Sequence, residues 1–204
     1  MDRKFRYSIL VDRISLIPIP LFMLGLIISL ILGMHYGNYS FLFNTISELG
    51  SIHFTPFPEA INLTFIITSL LLGTFYYVFF RKIHSSVIDS EFHKRLSKFG
   101  FIMFVVSNIS FFFVGIFSVD VSYIIHISFA ATVFISLLLG EIIFGYLVIK
   151  FNIFNKIIGF SMIFLHLFVC VLIPIFPAAT SVLEWCMFFV LIIWGIPVSI
   201  IIRK

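Results

Sequence analysis

The chain has 204 residues, of which 61% are hydrophobic and only 11% charged, with a formal net charge of +4. A soluble domain needs about a quarter charged residues to cover its surface, so the composition excludes one. It also gives no support to a nucleic-acid partner, because the positive balance is explained by where the basic residues fall between the apolar runs.

Residues 1–13 form a short basic arm in which Arg3, Lys4, Arg6 and Arg13 outnumber Asp2 and Asp12. The first apolar run, 14–34, is too long for a signal-peptide h-region and is followed by no small-x-small cleavage site, so it reads as a retained helix. Pro18 and Pro20 fall in its first turns, where a missing amide donor costs least. A long outer segment, 35–58, follows. The second span covers 59–80, with Tyr76 and Tyr77 near its inner end, and a polar loop extends from 81 to 98. The third span, 99–117, ends in a tight turn at 118–123 that contains Asp120. The fourth, 124–148, leads through an inner turn at 150–156 to the fifth, 157–176. A turn at 177–181 precedes the sixth, 182–202, which ends on Arg203-Lys204. Each run is about 20 residues, enough to cross ~30 Å of hydrocarbon.

The placement of charge tests this assignment. All 13 Lys and Arg fall on the arm, the two even-numbered loops and the C-terminus. Six spans put those four segments on one side, and the positive-inside rule makes that side the cytoplasm. Tyr36, Tyr123, Tyr146 and Trp185 at helix ends fit the interfacial aromatic belts. The expectation is an all-α integral membrane protein: a single domain, 1–204, forming a six-transmembrane-helix bundle in the cell membrane with both termini cytoplasmic. Ser128, Thr132, Ser136 and Gly140 recur every four positions along the fourth span, a small-residue seam that makes that helix central. Cys170 and Cys186 lie inside apolar runs and point to neither a disulfide framework nor a CxxC metal site.

Two ionisable residues lie deep in the membrane. Glu141 is about 10 Å and His166 about 14 Å from the same side of the membrane, counting ~1.5 Å per residue. Adjacent antiparallel helices would bring them to one depth as an intramembrane polar pair, either proton-linked or holding two helices together. Asn62, Ser107, Asn108 and Ser110 read as inter-helix hydrogen-bonding groups. His126 and His166 differ too much in depth for a bis-His haem, and no cofactor is specified.

The outer face collects Glu48, Glu59, Asp120 and Glu184 with His35, His53 and His126, and no basic residue. Carboxylates and imidazoles without counter-charge suit a divalent metal or a cationic headgroup, although no HExxH spacing selects a metal. The outer segment is rich in Phe, Leu and Ile, so it should fold down over the helix ends rather than extend into water. Asn44 and Ser47 are placed to satisfy its backbone, and Gly50 to allow a sharp exit. Glu48, Asn62, Asp120 and His126 are the residues expected to line a polar pocket beneath it.

Ile46-Ser-Glu-Leu-Gly50 after the first helix, Gly115-Ile-Phe117 at the end of the third and His126 early in the fourth resemble the domain of unknown function 998 family. A fainter likeness extends to the autophagy-modulator (DRAM-type) and GPI-anchor-remodelling membrane proteins. The motif's usual aspartate is Glu48 here, and its usual proline is Ser118. The resemblance covers about residues 14–148 and implies a small membrane protein of about six helices, with no reaction attached. Three functional classes follow: binding or handling of a membrane lipid or other amphiphile, a metal-dependent intramembrane hydrolase, and a structural subunit with protein partners in a larger complex.

Overall fold

Each long apolar run becomes a helix, because in hydrocarbon a helix satisfies its own backbone. The computed structural model describes residues 11–87, 90–176 and 180–202. The helices are α1 (Pro18–Tyr36), α2 (Glu59–Ser86), α3 (Glu91–Ile116), α4 (Tyr123–Phe151), α5 (Lys156–Ile175) and α6 (Thr180–Ile202), and no strand occurs among the described residues. Five of the helices, the first counted from Val11, are long and apolar enough to cross a membrane. The remaining one, α5, is apolar and has 20 residues, about 30 Å at 1.5 Å per residue. The protein is a six-helix membrane bundle.

Helix boundaries follow local chemistry. Pro18 sits in the first turn of α1, after a short helical turn at 11–14 that breaks at 15–17. Ser90, Ser122 and Asn155 cap α3, α4 and α5 by accepting from the amides of His93, Ile125 and Ile157. Asn152 ends α4 in the left-handed region at φ 50°, a conformation that asparagine tolerates. The basic arm through residue 10, most of the 177–181 turn and Arg203-Lys204 lie outside the described residues.

The expected polar loop 81–98 is corrected by the structure. Both flanking helices continue into it: α2 carries Arg81, Lys82 and His84, and α3 starts at Glu91. Charged residues on these extensions project past the hydrocarbon, where a helix still forms and water covers the charges. Arg81 pairs there with Asp12 at 3.0 Å, and His84 shares a hydrogen bond with Ser97 at 2.7 Å.

Successive helices pack on one another in order, and α6 closes the set by touching α1 and α2. The core is aromatic: Phe75, Tyr76, Phe79, Phe104, Phe144 and Trp194 are each at most 2% exposed. Their rings meet in stacked and tilted pairs, among them Tyr76–Phe104 at 4.5 Å and Phe104–Phe144 at 5.0 Å. Leu24, Leu70, Ile135, Phe164 and Ile193 stay on the outside, as lipid-facing residues do. The small-residue seam of α4 is used in its lower half only. Ser136 and Gly140 are buried, and a Cβ at Gly140 would run into the Phe104 ring. Ser128 and Thr132 are exposed and satisfy their hydroxyls on the Ile124 and Ser128 carbonyls of their own helix.

The bundle has a basic end, with Arg81, Lys94 and Lys150, and an acidic end, with Glu48, Asp120 and Glu184. In a variant lacking Cys170 and Cys186, single cysteines at exposed His53 and exposed Ser85 should react with an impermeant thiol reagent from opposite sides of sealed vesicles. Labelling of both from one side would contradict the six-span bundle.

Candidate functional site

Residues 37–58 form a cap over the acidic end, and most of their polar groups are spent on holding it there. Thr45 and Glu48 make a capping box around a 3₁₀ turn, Ile46–Gly50. The Glu48 carboxylate accepts from the Thr45 amide at 2.7 Å and from the Asn44 side chain at 3.2 Å. Tyr39 is 5% exposed and donates its hydroxyl to the Thr45 carbonyl at 2.9 Å. Burial pushes that phenol above its ordinary range, so it stays a donor. Ile46 and Leu49 are fully buried against Phe22, Phe65, Phe111 and Trp185. Each contributes about 1.5–3 kcal/mol toward holding the turn down. Leu42, Phe43, Ile52 and Phe57 remain exposed, so only part of the cap's apolar side turns inward.

Several elements anchor the cap. Asn62 of α2 donates to the Gly50 carbonyl at 3.4 Å. Asp120, in the α3–α4 turn, accepts from the Ser51 hydroxyl and the Ile52 amide, both at 2.8 Å. From α6, Ser181 donates to the Phe43 carbonyl at 2.9 Å and Trp185 to the Asn44 carbonyl at 3.2 Å. Asn62 and Asp120 therefore hold the cap from outside the cavity that lies beneath it, and neither lines that cavity. Gly50 is required by close approach rather than by a positive φ: a Cβ there would collide with the Asn62 side-chain oxygen.

The cavity beneath the cap measures about 310 Å³. Thr45, Ser47, Glu48, His126 and Glu184 supply its polar wall, and Ile127, Ala130, Phe134 and Met187 much of its apolar one. Of the seven outer acids and histidines, Glu48, His126 and Glu184 border it together. His35, His53 and Glu59 are exposed elsewhere. Glu184 accepts from the Ser47 hydroxyl at 3.3 Å. His126 is 3% exposed, with Nδ1 at 2.7 Å from the Phe117 carbonyl. A carbonyl can only accept, so Nδ1 carries the proton and the neutral ring leaves Nε2 as an acceptor. That Nε2 has no partner among the described residues. No three His, Cys, Asp or Glu among the described residues are grouped to hold a metal ion.

The second candidate lies at the centre of the bundle. His166 Nδ1 is 2.7 Å from Glu141 Oε2, and Trp194 Nε1 donates to Glu141 Oε1 at 2.8 Å. All three residues are fully buried. The cluster ties α4, α5 and α6 together, and among the described residues neither Glu141 nor His166 lines any of the three main cavities. A separate recess of about 60 Å³ between α1, α2 and α6 touches Trp194, but its lining is almost wholly apolar. Ser107 donates to the Val133 carbonyl at 3.1 Å and Asn108 to that of Ser69 at 3.0 Å, joining α3 to α4 and α2.

Three participants escaped the sequence reading as site residues. Thr45 was legible, since Thr45-Ile-Ser-Glu48 is the capping-box spacing. Trp194 was legible too, because a tryptophan at mid-span is away from the interface where the residue usually sits. Glu184 was seen as an outer acid, but only the fold shows it sharing a cavity with Glu48 and His126. No protein-family model matches the chain, and no curated protein or solved structure matches it significantly.

Glu141→Gln keeps an acceptor for Trp194 and can donate to His166, so it should leave the melting temperature in detergent almost unchanged. Glu141→Leu strands both partners and should destabilise by about 1–3 kcal/mol. Equal melting temperatures for the two variants would show that the cluster does not hold the helices. At the cap, Gly50→Ala must displace Asn62 and should speed amide exchange over 46–50, whereas exchange in the core of α4 should stay as in the wild type.

Proposed function

We propose that the protein binds or handles a membrane lipid or other amphiphile whose headgroup enters the cavity under the cap. The observation that carries this reading is the division of the cavity wall. Its polar groups come mainly from the cap, His126 and Glu184, and its apolar ones from α4, α6 and Val119 of the turn before α4. A cavity of about 310 Å³ lies at the small end of ligand pockets, which run from about 300 to 1,000 Å³. It suits a headgroup with the start of a chain, the remainder lying in the surrounding lipid. A metal-dependent hydrolase is less well supported, because the acids and imidazoles do not group as ligands among the described residues.

The one-sided distribution of Lys and Arg supports a cytoplasmic basic end and a cavity on the opposite face of the cell membrane. The Ile46–Gly50 motif that resembles the domain of unknown function 998 family forms the cap turn. The proposed kinship therefore concerns the cover of the site rather than a reaction.

Ala130 sits in the cavity wall and offers a direct test. Alkyl amphiphiles with chain-brominated tails, added to the protein in nanodiscs, should quench tryptophan fluorescence in a saturable manner. Ala130→Phe fills the wall and should weaken that quenching by about tenfold, the equivalent of ~1.4 kcal/mol, with helix content unchanged. Quenching that never saturates, or that Ala130→Phe leaves intact, would rule out the cavity as the binding place.

A further inference from the structure

We infer that the tail of this amphiphile leaves the cavity inward along α6, as one alkyl chain, and meets the surrounding lipid at the seam between α1 and α6; this rests on the amphiphile reading above. Three voids stand in line along that route. The cavity under the cap shares Ser47, Ala130, Phe134 and Glu184 with a gap of about 10 Å³ beneath it. That gap shares Phe111 and Phe188 with the recess of about 60 Å³ between α1, α2 and α6. Glu184, Met187, Phe188, Leu191, Ile192 and Gly195 border these voids in turn. Their spacings of three and four residues put them on one face of α6.

Depth and lining both suit a lipid tail. From Glu184 to Gly195, α6 rises about 16 Å at 1.5 Å per residue, roughly one leaflet of a ~30 Å hydrocarbon core. Polarity falls along the way. The cavity has Thr45, Glu48 and Glu184 on its wall, the gap keeps Ser47 and Glu184, and the recess presents apolar surface alone. Ile19, Leu72 and Ile192 on the recess wall are half-buried, which places the recess at the flank of the bundle. α1 and α6 meet only lightly on that flank, through the Phe22–Phe188 stack at 5.5 Å and where Gly195 lies against Ile19. Phe188 is the divider. It borders both the gap and the recess, and its ring packs edge-on to Phe134 of the cavity wall at 5.8 Å. A gap this narrow, with one ring to displace, admits a single chain. Filling the recess gains packing rather than hydrophobic burial, because lipid tails are as apolar as the helices. The route therefore fixes where the tail lies more than how tightly it binds.

The test uses dodecyl amphiphiles with glycerol, phosphocholine or sulfate heads, each carrying a photoreactive diazirine either beside the head or at the tail end. They are irradiated with the full chain in nanodiscs, with and without excess unlabelled amphiphile, and the adducts that competition removes are mapped by mass spectrometry. Head-side probes should label 45–48 and 123–130, and tail-end probes 18–22, 72 and 188–195. Leu72→Trp fills the recess from α2 and should remove the tail-end adducts there, with head-side adducts and helix content unchanged. Ile192→Trp fills it from α6 and decides the matter where Leu72→Trp loses helix content. Leu70→Trp, on the exposed side of α2, should change neither set. Phe188→Ala removes the divider and should increase tail-end labelling of the recess; no increase would overturn the role given to Phe188. Competed tail-end adducts on exposed Ile135 and Leu139 of α4 would mean that the chain leaves the cavity directly. That result, or tail-end adducts that competition or the recess-filling variants leave intact, would overturn the α6 route while keeping the headgroup site. Absence of competed head-side adducts for every head would overturn both readings.

Discussion

A single buried carboxyl group organises the middle of this bundle. Glu141 is fully buried, and its two oxygens are taken by a histidine of α5 and a tryptophan of α6. A lone carboxylate in hydrocarbon costs several kcal/mol, so each of these contacts is needed as soon as the glutamate is present. The requirement also acts on geometry. It fixes the depth of α5 and α6 against α4, where apolar side chains alone would tolerate sliding, since lipid tails are as apolar as leucine. The aromatic cluster of Phe75, Phe79, Phe104 and Phe144 packs around that fixed point.

The acidic end depends on this framework. The cap is anchored on α2, the α3–α4 turn and α6, and its contacts hold only while those helix ends stand in register. Polar groups at the two candidate places are held differently. Glu141 has both oxygens satisfied from α5 and α6, whereas Glu48 and Glu184 border a cavity and accept hydrogen bonds from the cap. One buried imidazole nitrogen at each place, His166 Nε2 and His126 Nε2, has no partner among the described residues.

Much of the fold was legible because hydrocarbon imposes one solution on a long apolar run, and because Lys and Arg mark the ends. Errors came where that constraint stops. Past the membrane, Arg81 and Lys82 read as loop, yet water lets α2 continue through Ser86. The approach of Glu141 to His166 could be anticipated by counting rise along two helices, but Trp194 belongs to a third helix whose rotation no count supplies. Asn62 and Asp120 were placed at the right end of the bundle and given the wrong task. Depth follows from sequence position, but the direction of a short side chain depends on the neighbouring backbone, and here that backbone is the cap itself. The small residues of α4 show the same limit, since four-residue spacing defines a stripe without saying that one partner covers all of it.

The cap is encoded near the start of the chain, but its fastening to α6 spans most of the sequence: Ser47, Phe43 and Asn44 reach residues 137, 138 and 141 positions further on. During synthesis the first two helices are therefore made long before the helix that secures the cover between them. Until α6 enters the membrane, the capping box and the contacts to α2 can form, but Glu48 has no Glu184 beside it and the cavity lacks one wall. The cavity thus comes into being only when the whole bundle has been assembled, so a chain interrupted before α6 carries the motif without the cavity.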